Sequence, residues 1–169
     1  MVNDALLALA NTLAKVLISN KRVLTLAESC TGGLASGLLT ALPGSSAWFD
    51  SGYITYSNQA KVDMLGVSKD TLEKFGAVSE ETAAEMAIGA LNHSTGRANI
   101  AASITGIAGP SGGSKEKPVG TVCFAWAISN QPVTTQTKLF QGNRHEIRQQ
   151  SIETLLNGLL TIQKTLSQD

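Results

Sequence analysis

At 169 residues, with thirteen basic and thirteen acidic side chains cancelling, the chain fits one domain with no net field to attract nucleic acid or an anionic membrane. Only 15% of residues are charged, against about 25% in ordinary domains, and the two cysteines form no C-x-x-C pair, which argues against a disulfide framework or a zinc site. No basic segment precedes an apolar run at the start and no stretch reaches the roughly 20 apolar residues of a membrane span, so a cytoplasmic protein is expected.

In chain order, Leu6, Leu9, Leu13, Val16 and Leu17 recur at helical spacing, with Asp4 as the expected N-cap. Arg22 to Ala27 reads as a short buried strand. Leu34 to Leu42 reads as a helix stopped by Pro43-Gly44. A strand over Ala47 to Tyr56 follows, then a short helix from Asn58 to Leu65 ending at Gly66, and a further helical turn or two over Ser68 to Phe75. Ser79 caps the next helix, whose stripe of small residues (Ala83, Ala87, Ala90) predicts close packing. Ala98 to Ile104 has a buried-strand pattern and leads into a glycine-rich loop from Gly106 to about Pro118. Val119 to Ile128 and Val133 to Phe140 read as an antiparallel pair. Asn143 caps a last helix with Ile152, Leu155, Leu156, Leu159 and Leu160 on one face. Early strands alternate with helices and late strands form a hairpin. The expected fold is therefore a three-layer α/β/α domain with a mixed, partly parallel sheet.

Two strand-to-helix corners carry the candidate chemistry. In the first, Glu28-Ser29-Cys30-Thr31-Gly32-Gly33, a serine hydroxyl stands where a strand ends. The backbone amides of Cys30, Thr31, Gly32 and Gly33, backed by a helix N-terminus, are candidate donors to an oxyanion. Taken alone, Ser29 also reads as a plain helix cap. In the second corner, Lys61 falls in the opening turn of a helix, where the macrodipole and burial both oppose a positive charge. A serine and a lysine so placed can act as nucleophile and base without histidine, cysteine or metal. Taken alone, Lys61 also reads as a solvated surface residue.

Tyr56 ends the strand feeding the second corner, where its hydroxyl would bridge serine and lysine or relay a proton, and Tyr53 lies on the opposite face of a regular strand. The loop Thr105-Gly106-Ile107-Ala108-Gly109-Pro110-Ser111-Gly112-Gly113-Ser114 would let its backbone approach a ligand, yet it is neither a Walker A loop nor a dinucleotide fingerprint. Arg144, opening the last helix, is a candidate phosphate ligand, with Arg148 one turn on as the weaker choice. Cys30 lacks a base and reads as a small buried residue.

These segments, together with Gly76-Ala77-Val78-Ser79, Pro118-Val119-Gly120-Thr121-Val122 and Asn143-Arg144, resemble the CinA C-terminal domain family over essentially the whole chain. The resemblance implies a nicotinamide-nucleotide amidase that converts nicotinamide mononucleotide to nicotinic acid mononucleotide and ammonia. It implies a serine–lysine mechanism with Ser29 and Lys61 as catalytic residues, Tyr56 assisting, and no metal or organic cofactor. The expected substrate-binding residues are Cys30, Thr31, Gly32, Gly33, Tyr53, Thr105, Gly106, Ala108, Gly109, Gly112 and Arg144. A non-catalytic pyridine-nucleotide-binding or sensing module is the alternative. The small-residue helix and low charge add the expectation of a homodimer or higher homo-oligomer.

Overall fold

A computed structural model describes residues 3–166. The elements run α1 (Asp4–Ser19), β1 (Leu24–Glu28), α2 (Leu34–Thr40), a 3-10 turn (Ser45–Ala47), β2 (Phe49–Ile54), α3 (Asn58–Leu65), α4 (Lys69–Phe75), α5 (Glu80–His93), β3 (Ile100–Gly106), β4 (Thr121–Ile128), β5 (Thr134–Leu139) and α6 (Arg144–Leu166). The expected order of helices and strands is the observed one. One cap differs: the side chain of Asn3, not Asp4, accepts the Leu6 amide at 2.7 Å, and Asp4 is the first helical residue.

The five strands form one sheet in the order β2-β1-β3-β4-β5. β1 pairs in parallel with β2 and β3, and β3-β4 and β4-β5 are antiparallel. From β1 the chain passes first to β2 on one side and later to β3 on the other. The segments leaving β1 and β3 therefore diverge beyond their carboxyl ends, the usual ligand position in open α/β sheets.

Helices cover both faces. Leu13, Leu17, Leu38, Leu155 and Leu159 pack with Leu26, Ile104 and Phe124 of the sheet, which places α1, α2 and α6 on one side. On the other side, Ala83 and Ala87 of α5 meet Ala101, Cys123, Ala125 and Ala127. The small-residue stripe thus packs against the chain's own sheet. It explains the close approach of α5, and it does not supply the subunit interface expected from it. Gly89 serves a second close approach, because a Cβ there would collide with the Leu65 carbonyl at the end of α3. α3, which carries Lys61, is seated on α5 by this contact. Among the described residues no helix is long and apolar enough to cross a membrane.

Candidate active site

β1 is buried along its whole length and places Ser29 just past its carboxyl end, where the Ser29 amide still donates to the Ile104 carbonyl of β3 at 3.0 Å. The second corner is held in the same way, with the Thr55 amide donating to the Glu28 carbonyl at 2.8 Å. Ser57 then caps α3 by accepting the Ala60 amide at 3.0 Å, and Gly66 ends the helix in the left-handed conformation. These links fix α3 relative to β1. The result is that Lys61 Nζ lies 3.0 Å from Ser29 Oγ.

Both groups are nearly dry, Ser29 being 7% and Lys61 1% exposed. Burial pulls the Lys61 ammonium down to about 8, against a slight upward pull from the Cys30 thiol. Nζ has the Ser29 hydroxyl and the Thr55 carbonyl, at 2.8 Å, as acceptors, one fewer than the three hydrogens of an ammonium require. Loss of a proton would leave one N–H donating to the Thr55 carbonyl and turn a lone pair toward the serine hydroxyl. Burial pushes the neighbouring Cys30 thiol the other way, up to about 12. Cys30 is therefore a protonated, unreactive thiol at neutral pH, and serine is the nucleophile available.

The expected row of oxyanion donors is narrower than the sequence indicates. Gly33 adopts φ +94°, a left-handed conformation favourable to glycine, and caps α2 without a side chain. In its place the fully buried carboxylate of Glu28 reaches forward. It accepts from the Thr31 hydroxyl (2.6 Å), the amides of Gly33 (3.0 Å), Ala35 (3.2 Å) and Ser36 (2.8 Å), and the Ser36 hydroxyl (2.7 Å). The Gly32 amide donates to the Ser29 carbonyl. This leaves the Cys30 and Thr31 amides beside Ser29 without an acceptor on another described residue. Sequence reasoning missed this use of Glu28. The available signal was a carboxylate directly following the apolar pair Leu26-Ala27 at a strand end, since a buried charge must find several donors.

The remaining candidates separate into two groups. Arg144 donates to the Gly109 carbonyl at 2.7 Å and to the Tyr56 hydroxyl at 3.1 Å, joining the glycine-rich loop to the second corner. Tyr56 is 62% exposed, and its hydroxyl is held by Arg144 and bridges neither Ser29 nor Lys61. Arg148, the weaker choice from sequence, donates to the Thr31 carbonyl at 2.9 Å and so braces the serine turn. Gly109, at φ +77°, packs so tightly on Val119 that any Cβ would collide with its side chain. Ala108 is buried beside it, and Gly112 is exposed farther along the loop.

Thr105 and Tyr53 are structural by their contacts. The Thr105 hydroxyl donates to the Ala77 carbonyl at 2.8 Å, tying the loop before α5 to the sheet, and Gly106 ends β3 in register with Val122. The Tyr53 ring packs edge-on to His93, 6.1 Å between centroids, against a cluster containing Ala27, Leu65 and Met86. Half-buried, it packs there beside α3 and α5.

The family model of the CinA C-terminal domain matches residues 6–163. This chain belongs to the CinA C-terminal domain family. It is 46% identical over 159 residues to the nicotinamide-nucleotide amidohydrolase PncC of Escherichia coli strain K12, covering 94% of this chain and 95% of that protein. A CinA-like protein of Chlorobium limicola is 50% identical over 157 residues, a match spanning 90% of this chain and 36% of that longer protein. The crystal structure of the competence/damage inducible protein CihA from Agrobacterium tumefaciens superposes with a TM-score of 0.90 at 44% identity, covering 95% of this chain and 97% of that one. The CinA fold is thus shared over nearly the whole chain.

Proposed function

We propose that this chain is a nicotinamide-nucleotide amidohydrolase, converting nicotinamide mononucleotide and water to nicotinic acid mononucleotide and ammonia. The near-full-length similarity to PncC supports the substrate, and the 3.0 Å contact between the nearly buried Lys61 and Ser29 carries the chemistry. Neutral Lys61 takes the Ser29 proton as Oγ attacks the carboxamide carbon. The Cys30 and Thr31 amides hold the resulting oxyanion. Lys61 then returns the proton to the departing nitrogen, and ammonia leaves an acyl-serine. Water, deprotonated by Lys61, attacks the acyl carbon, and the Ser29 hydroxyl is restored as the acid departs.

The N-alkylated pyridinium of this substrate withdraws electrons from its carboxamide and makes the carbon more electrophilic. The exposed Tyr56 ring offers that cation an aromatic face. Arg144 and the Gly106 to Gly113 loop stand at the same mouth and hold the ribose and phosphate, with Arg144 supplying the charge. The deciding experiment incubates purified protein with nicotinamide mononucleotide and, separately, with free nicotinamide. Ammonia and the acid product are expected from the nucleotide and far less from the free base. No ammonia from the nucleotide would reject the reading.

A further inference from the structure

Resting on the amidohydrolase reading above, we infer that Glu28 is a positioning residue that aligns the oxyanion donors of the serine turn. Its carboxylate stands immediately before Ser29 and, though fully buried, makes no ion pair among the described residues. Donors satisfy it instead, divided between its two oxygens. Oε1 takes the amide and hydroxyl of Ser36, inside α2. Oε2 takes the Gly33 and Ala35 amides and the Thr31 hydroxyl. One group therefore links the first turn of α2 to the side chain of Thr31, two residues after the nucleophile.

Two consequences follow from this geometry. The amides at the start of α2, otherwise the natural anion site of a helix N-terminus, are consumed by an internal carboxylate. The amides near Ser29 that have no acceptor on another described residue are those of Cys30 and Thr31. Their direction is set on one side by Glu28 through the Thr31 hydroxyl, and on the other by Arg148 through the Thr31 carbonyl. An oxyanion site depends on donors fixed before charge develops, so loosening this turn lowers kcat while ground-state nucleotide binding persists.

Glu28→Gln tests the link, because an amide nitrogen replacing either oxygen faces at least one backbone N–H that cannot turn away. Its kcat is expected to fall on the order of 10²-fold, with KM within about threefold of wild type. Thr31→Val keeps the backbone amide and severs only the hydroxyl contact. Its kcat is expected to fall about tenfold, and the loss should shrink when combined with Glu28→Gln, since the two act as one unit. Asn3→Ala, which uncaps the remote α1, serves as a control that lowers thermal stability and leaves kcat unchanged.

A second readout is independent of substrate: the rate at which a fluorophosphonate labels Ser29. Labelling forms an Oγ–P bond, expels fluoride and passes the hydroxyl proton to Lys61. Both Glu28→Gln and Thr31→Val should slow it, and Asn3→Ala should not. Wild-type protein that labels rapidly yet releases no ammonia from nicotinamide mononucleotide refutes the substrate assignment while leaving Glu28 to be judged by labelling. Folded Glu28→Gln or Thr31→Val with wild-type kcat and wild-type labelling would overturn the inference, as would a wild-type Ser29 inert to the probe. Thr31→Val decides alone if Glu28→Gln does not fold.

Discussion

Lys61 and Ser29, 32 positions apart in the chain, meet at 3.0 Å with their polar atoms shut away from solvent. The contact joins two corners that leave neighbouring strands at the same, carboxyl end of the sheet, β1 and β2 being parallel partners through Glu28 and Ile54. It makes a reagent of a hydroxyl that would otherwise be inert, because an amine stripped of water has reason to be neutral.

Removing either partner should abolish turnover while sparing the nucleotide complex. Ser29→Ala is expected to lower kcat by about 10³-fold or more, with binding of nicotinic acid mononucleotide within a few-fold of wild type. Lys61→Arg should be as inactive as Lys61→Gln, since a guanidinium stays protonated and cannot accept the serine proton. Ammonia release and calorimetric titration measure the two properties separately. Near-normal turnover in Ser29→Ala would exclude the acyl-enzyme.

The rate should follow the ionisation of Lys61. With a pKa of about 8, roughly a tenth of the protein holds the neutral amine at pH 7 and roughly nine tenths at pH 9. A rise of about tenfold in kcat/KM between those values is expected, with a single inflection near 8. A profile already flat from pH 6 to 9 would show that another group is the base.

Stability should carry the same signature. The amine titrates near 8 in the folded chain and near its ordinary 10.5 once unfolded. Between these values the unfolded chain binds the extra proton, so stability rises with pH across that window. Below about pH 8 the folded state bears the full cost of a buried charge, on the order of 3 kcal/mol. Lys61→Met removes the ionisation. The wild-type melting temperature should therefore gain on that of Lys61→Met as pH climbs from 7.5 to 10, and a constant difference would contradict the account.

Arg144 should act on binding. Arg144→Ala loses the charge at the site mouth and the contacts to Gly109 and Tyr56. KM is expected to rise by about tenfold to a hundredfold, with kcat changed much less. Tyr56→Phe, losing only the exposed hydroxyl, should raise KM by a few-fold. Steady-state kinetics on nicotinamide mononucleotide reads both, and an Arg144→Ala effect confined to kcat would remove Arg144 from the phosphate role.

Much of the fold was legible because its signals are local. α3 begins after Ser57 and stops at Gly66, as read from sequence, since a capping hydroxyl and a left-handed glycine act within a turn of their own positions. The hairpin of β4 and β5 was legible for the same reason. The α2 cap was not, because it comes from Glu28, five residues before the Gly33 cap position and outside the window in which capping rules operate. The alanine stripe of α5 showed a helix able to approach something closely. Only the sheet residues Ala101 and Ala125 showed what it approaches.

By itself the sequence determined the order of elements, the two strand-to-helix corners and the residue types capable of amide chemistry. These depend on backbone preferences and on what each side chain can donate, accept or attack. Tertiary structure alone decided that Tyr53 packs against Leu65 and Met86, that Tyr56 belongs to Arg144, and that the helix amides answer to Glu28. It also decided the proton affinity of Lys61. Loss of solvent and the supply of acceptors are properties of the surroundings, and residues distant in the chain provide them.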